Sequence, residues 1–169
     1  EFRRVLFRSI ERVQPGAVFV IDARGQTSAG TMGSILAKRL QVRGAVGIVT
    51  DGAYRDTPTI VSSGLAAYAA AMNAHTNKTI HHPSEIQVAI SCGEVAVFPG
   101  DIVVGDEEGV VVVPAHLAAD VADAAAEMEL KEEFLLEKIS AGASIVGTYP
   151  PDEATLAEYA AWKAKRPND

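Results

Sequence analysis

Two short stretches carry residue types that could do chemistry. Arg55 and Asp56 stand side by side at the end of TDGAYRD, residues 50–56, just after the apolar run Val46-Gly47-Ile48-Val49. The guanidinium offers a charge for an oxyanion and the carboxylate a hard oxygen ligand. Mg²⁺ typically takes only one or two protein carboxylates and keeps several waters, so one well-placed Asp can suffice. Upstream, Gly33-Ser34-Ile35-Leu36 falls at the start of an expected helix, where unpaired backbone N–H groups and the helix dipole make a ready site for a carboxylate. Taken singly, an ordinary helix start and an ordinary surface ion pair account for each. Their joint placement favours a functional reading, because a single crossover could bring Arg55 and Asp56 beside that helix start.

The elements that would position them follow from hydrophobic period and turn chemistry. Pro15-Gly16 is a turn, and Ala17 to Ile21 reads as a buried strand closing at Asp22. Ala23 to Gly30 is a polar loop. From Thr31 to Val42 the residues Met32, Ile35, Leu36 and Leu40 recur at helical spacing, with Lys38, Arg39 and Arg43 where the dipole favours cations. Gly44 supplies a stop. The next strand, 45–50, completes a strand, helix, strand unit, which implies parallel pairing and a right-handed crossover. Ligands tend to bind beyond the C-terminal ends of such strands, and Asp51-Gly52 is read as the strand end.

Farther along, Thr59 to Val61 reads as a short strand and Gly64 to Ala74 as an Ala-rich stretch of unassigned type. The runs Ile86 to Ile90, Glu94 to Phe98, Asp101 to Val104 and Gly109 to Val113 are divided by Cys92-Gly93, Pro99-Gly100 and Asp106 to Gly109, which suggests antiparallel or mixed pairing through tight turns. Pro114 opens a long helix to about Ile139, and Pro151 to Lys165 a second, shorter one.

Other constellations fail on their chemistry. Gly25 to Gly30 has G-x-x-x-x-G spacing, but Thr31-Met32 follows where the phosphate-binding Lys would be needed. No G-x-G-x-x-G marks this turn. His75, His81, His82 and Cys92 fit no structural zinc spacing and read as surface or interface histidines beside a lone thiol. Ser62, Ser63 and Ser91 lack a nucleophile elbow. The acidic residues Asp120, Asp123, Glu127, Glu129, Glu132 and Glu133 read as the solvated side of the long helix.

Composition sets the outer bounds. The 169 residues suit one domain with a proper core, and 48% hydrophobic against 22% charged is ordinary for a globular protein. A net charge of −7 disfavours nucleic acid as a partner. The one cysteine, Cys92, makes no internal disulfide and favours a reducing, cytoplasmic setting. No apolar run approaches the roughly 20 residues of a bilayer span, so no membrane partner is expected. Residues 1–9, EFRRVLFRS, are arginine-rich and are read as a non-native tail outside the fold, leaving 10–169 as one domain.

The same residues carry a resemblance. MGSILAK (Met32 to Lys38) followed by RGAVGIVTDGAYRD (Arg43 to Asp56) resembles the signature of the RraA-like family. CGEVAVFPGD (Cys92 to Asp101) and GDEEGVVVVP (Gly105 to Pro114) resemble its second block. The similarity runs from about Val13 to the C-terminus. That family includes 4-hydroxy-4-methyl-2-oxoglutarate aldolases, which also decarboxylate oxaloacetate, and regulators of ribonuclease E. The resemblance implies an α/β fold, the swivelling β/β/α domain, with mixed sheets, a βαβ unit and a long C-terminal helix, assembled as a homotrimer or dimer of trimers. It departs at the front, where family members carry several dozen residues ahead of Val13, so the domain is expected to lack its usual N-terminal part.

Carried over residue by residue, Gly33, Ser34, Ile35 and Leu36 bind the pyruvyl carboxylate, Arg55 binds substrate, and Asp56 holds a divalent metal, Mg²⁺ or Mn²⁺. Regulators without aldolase activity replace the acidic residue after the Arg; Asp56 is present here, which tilts the expectation to a lyase acting on a small 2-oxo acid with a second carboxylate. Cleavage of its C3–C4 bond would leave an enolate at the 2-oxygen, stabilised by the metal and Arg55, and the same enolate serves aldol cleavage and decarboxylation. No general base is identifiable. A non-catalytic regulator of a ribonuclease and a sugar-acid lyase using the same site are the competing expectations.

Overall fold

A computed structural model describes residues 2–166 of the chain. By their contacts they form two compact units, Glu1–Ala115 and His116–Asp169.

The first unit begins with α1 (Phe2–Arg12), followed by β1 (Val18–Ile21), β2 (Gly30–Met32), α2 (Ser34–Val42), β3 (Gly47–Tyr54), α3 (Thr57–Ser62) and β4 (Ala66–Met72). β3 is the centre of a parallel sheet. β4 pairs along it from Gly47 to Tyr54, so the other edge is shared: β1 takes Gly47 to Thr50 and β2 takes Ala53 and Tyr54. The expected parallel crossover is therefore present, with α2 as its helix and β2 inserted ahead of it. Gly44 stops α2 at φ +93, a conformation that costs glycine little, while its N–H donates to Gln41 O at 2.9 Å.

Three expectations are corrected. The stretch set aside as a tail is part of α1, which turns its Leu6, one helical turn before Ile10, into the core with Leu40 and Ile48; Val13, just past the helix, joins them. Asp51-Gly52 does not end the strand. Between Thr50 and Ala53 the pairing with β4 slips by one residue, so the two form a bulge and β3 continues to Tyr54. Thr59 to Val61 is helical, inside α3, because Asp56 at φ +59 turns the chain and Pro58 sits in the first helical turn. The Ala-rich stretch resolves as β4.

Beyond β4 come a 3-10 turn (Asn77–Thr79) and two antiparallel hairpins, β5 (Ile90–Cys92) with β6 (Val95–Val97), and β7 (Ile102–Gly105) with β8 (Val110–Val113). The first of these strands starts at Ile90, four residues later than Ile86, where the sequence reading began it. Asp101 secures the second hairpin by accepting from Phe98 N at 2.8 Å and Ala115 N at 3.1 Å. Together these elements are the mixed α/β arrangement expected from the sequence.

In the second unit α4 (Ala118–Ser140) and α5 (Glu153–Lys163) pack through Phe134, Leu135 and Tyr159, with Trp162 against them. Asp152 caps α5 by accepting from Thr155 N at 2.8 Å. No helix among the described residues is long and apolar enough to cross a membrane.

Candidate active site

The two candidate stretches meet. β2 runs into Gly33, which caps α2 in an extended conformation, and β3 runs into Arg55-Asp56 on its neighbouring strand. Arg55 N donates to Met32 O at 2.9 Å, continuing the pairing of β2 with β3 past the last ladder residue. Ser34 N and Ser34 Oγ then donate to Asp56 Oδ2 at 3.2 and 3.3 Å. The joint placement inferred from the crossover is the geometry observed.

The contact is close. A Cβ on Gly33 would lie 2.6 Å from Asp56 Oδ2 and 3.2 Å from an Arg55 guanidinium nitrogen, so a larger residue there would have to push these side-chain ends away from the helix start. Gly30 is under similar pressure, with Arg55 Cβ and N each 2.9 Å from the position its Cβ would take.

Arg55 and Asp56 touch each other as well. Arg55 Nε lies 3.4 Å from Asp56 Oδ1, with the side chains 41% and 38% exposed. A pair this open is worth little by itself. The Asp56 carboxyl is held below the usual carboxylate range, first by the Ser34 N–H and then by the charge and hydrogen bond of Arg55. It is ionised at neutral pH, with Oδ1 less engaged than Oδ2.

At the helix start, Ser34 N–H is taken by Asp56, while the N–H groups of Ile35 and Leu36 belong to the first turn and have no carbonyl below them within the helix. Ile35 is 81% exposed, so this end of α2 is open to solvent. The arrangement can hold an anion between two backbone donors and a guanidinium, with one carboxylate beside it.

Among the described residues no cluster of three His, Cys, Asp or Glu side chains gathers to hold an ion. Asp56 alone, exposed and ionised, fits a hydrated cation of the Mg²⁺ class that draws its other ligands from water and substrate, and does not fit a caged ion. His75, His81, His82 and Cys92 do not converge on one: His81 Nε2 lies 3.2 Å from Ala29 O, and Cys92 Sγ contacts Ile21 O at 3.8 Å with its thiol pushed up by burial.

Asp51 is the residue the sequence reading undervalued. Its carboxylate accepts from Ala23 N at 2.7 Å and Gly25 N at 2.9 Å, pinning the loop that leads into β2. Gly52 beside it has Ala23 Cβ 2.6 Å from where its own Cβ would be, so the bulge is shaped to receive that loop. An Asp-Gly pair within a β run signals a tight backbone, but turn and bulge look alike without the partner strand. A cavity of about 870 Å³ lies elsewhere in this unit, bounded by Val49, Asp51, Ala69, Cys92, Val97 and Val110, and no residue of the candidate site lines it.

Several known proteins resemble the chain as a whole. A "Putative 4-hydroxy-4-methyl-2-oxoglutarate aldolase" of Halalkalibacterium halodurans is 28% identical over 144 residues, 85% of this chain and 68% of that protein. Among solved structures, an uncharacterised protein from Pseudomonas syringae pv. tomato superposes with a TM-score of 0.78 at 28% identity, over 83% of this chain and 70% of the other. Streptomyces coelicolor RraAS2, described as an unusual member of the RNase ES inhibitor RraA protein family, gives a TM-score of 0.74 at 35% identity, over 78% and 67%. The chain thus spans about two thirds of the length of these relatives. The Aldolase/RraA sequence profile matches residues 3–112, taking in nearly all of α1, the first signature block and all but the last two residues of the second, and the chain belongs to the RraA-like family.

Proposed function

We propose that this chain belongs to a divalent-metal-dependent carbon–carbon lyase that cleaves a 4-hydroxy-2-oxo diacid, of the 4-hydroxy-4-methyl-2-oxoglutarate type, to pyruvate and a second 2-oxo acid. Decarboxylation of oxaloacetate follows from the same chemistry. The observation that carries the reading is the convergence of the α2 start on Arg55 and Asp56, closed by the 3.2 Å hydrogen bond from Ser34 N to Asp56 Oδ2. Relatives named for aldolase activity support it.

In this reading the amides of Ile35 and Leu36 hold the C1 carboxylate, and the open end of α2 supplies a favourable dipole. Arg55 faces the 2-oxo oxygen. When the C4 hydroxyl loses its proton and the C3–C4 bond breaks, C4 becomes the carbonyl carbon of the second product and the bond's electron pair moves through C3 onto the 2-oxygen. Arg55 stabilises that enolate, and removing one such donor typically costs about 2.7–4 kcal/mol of barrier. A proton then returns to C3 to give pyruvate. In oxaloacetate the electron pair comes from loss of CO₂, so no hydroxyl proton needs removing. Mg²⁺ or Mn²⁺ bound at Asp56 would add a Lewis acid for the same oxygen.

The test is pyruvate release from both substrates with Mg²⁺, with EDTA, and with Asp56→Ala. Loss of turnover on chelation and on substitution is expected; turnover indifferent to both sinks the reading. The second reading, a non-catalytic partner of a ribonuclease, is favoured by the 35% identity to RraAS2. It predicts no pyruvate in that assay and capture of ribonuclease E in a pull-down. We further propose homotrimeric assembly, which light scattering of the purified protein would check.

A further inference from the structure

The segment after β4 returns to the loop that feeds β2 and grips it through side chains. Asn73 Nδ2 donates to Thr27 O at 3.0 Å, His81 Nε2 meets Ala29 O at 3.2 Å, and Asn77 Nδ2 donates to Thr31 O at 2.9 Å. Residues 27, 29 and 31 are alternate positions, and each carbonyl receives a different side chain. A backbone bond, Gly30 N to His75 O at 3.0 Å, adds to them. Because a carbonyl is only an acceptor, Nε2 of His81 carries the proton in this contact. The segment is fixed in turn: Asn73 N donates to Tyr54 O, Asn73 Oδ1 accepts from His75 N, and Asn77 O accepts from Ile80 N and His81 N.

The grip at Thr31 is the one nearest the site. Successive carbonyls of a strand point to opposite sides. Met32 O is taken by Arg55 N, and Thr31 O, facing the other way, by Asn77. The last two residues of β2 are therefore held from both sides immediately before Gly33, where an added Cβ would meet Asp56 Oδ2 at 2.6 Å.

We propose that Asn73 to His81 is a positioning strap, with Asn77 its principal residue, that fixes the end of β2 and so sets the α2 start against Arg55 and Asp56. Its effect on turnover rests on the lyase reading above; its effect on geometry does not. Losing the grip should let α2 drift relative to Arg55 while the amides of Ile35 and Leu36 move with the helix. Carboxylate binding is then largely kept, and its alignment with the guanidinium is lost.

Asn77→Asp keeps the shape and replaces the donor with an acceptor facing a carbonyl. It should lower kcat between about tenfold and a hundredfold, the cost typical of misplacing a reacting group by about 1 Å, with KM little changed. Asn77→Gln retains an amide donor and should recover most of kcat. Independently of activity, the Ser34 amide proton, shifted downfield in NMR by its carboxylate acceptor, should move upfield in Asn77→Asp. If that variant does not fold, Asn77→Ala removes the donor without adding charge and carries the same two measurements. The proposal is overturned by a folded donor-less variant with the wild-type Ser34 shift, or with unchanged kcat in a protein that does release pyruvate. If the wild type releases none, the lyase reading fails alone and the Ser34 shift still decides the strap.

Discussion

β3 and the β7–β8 hairpin are built from similar residues and end in opposite environments. β3 reads GIVTDGAY and the hairpin strands IVVG and VVVV, yet Ile48 is 0% exposed whereas Val104 and Val111 are 58% and 63% exposed. The difference lies in what each strand can pack against. β3 has strands on both edges and lies in a core with α1, α2 and α3, so its side chains are enclosed. Each hairpin strand pairs only with its own partner, and a two-stranded ribbon cannot bury both its faces. Hydrophobic composition marks where burial is possible, and only a second layer realises it. The candidate site hangs from the enclosed strand, where a side chain leaving the C-terminal end has a fixed origin.

That contrast can be broken by substitution. Ile48→Ala should produce the largest loss, about 2–5 kcal/mol of unfolding free energy, because it removes buried methylenes and leaves a cavity; denaturant unfolding of the intact chain measures it. Arg55→Ala should leave stability near that of the wild type but lower kcat for pyruvate release by about 10²–10³-fold, equivalent to about 2.7–4 kcal/mol of barrier. Should Arg55→Ala instead unfold the chain, the site would be part of the core and not an appendage to it.

Gly33→Ala should cost less, on the order of tenfold to a hundredfold in kcat, by pushing Asp56 Oδ2 away from the helix start; normal turnover in this variant would show that the close approach has no role.

Acid should act more gently. Asp56 is held below the usual carboxylate range by Ser34 N–H, so its ionised form is favoured in the folded state. Its contribution is present above the unfolded pKa and is lost as the pH falls through the lower, folded value. Turnover should therefore persist through mild acid and fail only below the ordinary carboxylate range, which the acid limb of the pH–rate profile measures; a limb lying above that range would mean that Asp56 is not the group lost. Smallest of all, Val111→Thr should change stability by no more than about 0.5 kcal/mol, as exposed positions do. A loss as large as that of Ile48→Ala would mean that the hairpin face is covered in solution and that the contrast with β3 is false.

Much of this was legible in the chain itself. The parallel crossover follows from two apolar runs flanking a helical period, and the stop at Gly44 from residue type. Gly33 to Leu36 and Arg55-Asp56 were identified because a helix start and a strand end are places where backbone and side chain can serve a ligand. Periodicity failed where local signals were ambiguous. Asp51-Gly52 suits a turn or a bulge equally, and β-branched Thr59 to Val61 suits a strand unless something has already turned the chain. The arginine-rich opening stretch looked foreign by composition, yet Leu6, Ile10 and Val13 carry a helical spacing that a reading confined to charge overlooks.

What the sequence alone determined was the family, the set of elements and the chemical vocabulary of the site, because those depend on residue type at short range. Tertiary structure decided which of these residues meet. The Ser34–Asp56 hydrogen bond joins residues 22 apart, and the Asn77–Thr31 grip joins residues 46 apart. No local pattern encodes such pairs, since an Asn in a loop has the same propensities whether it faces water or the one carbonyl that holds a site in place.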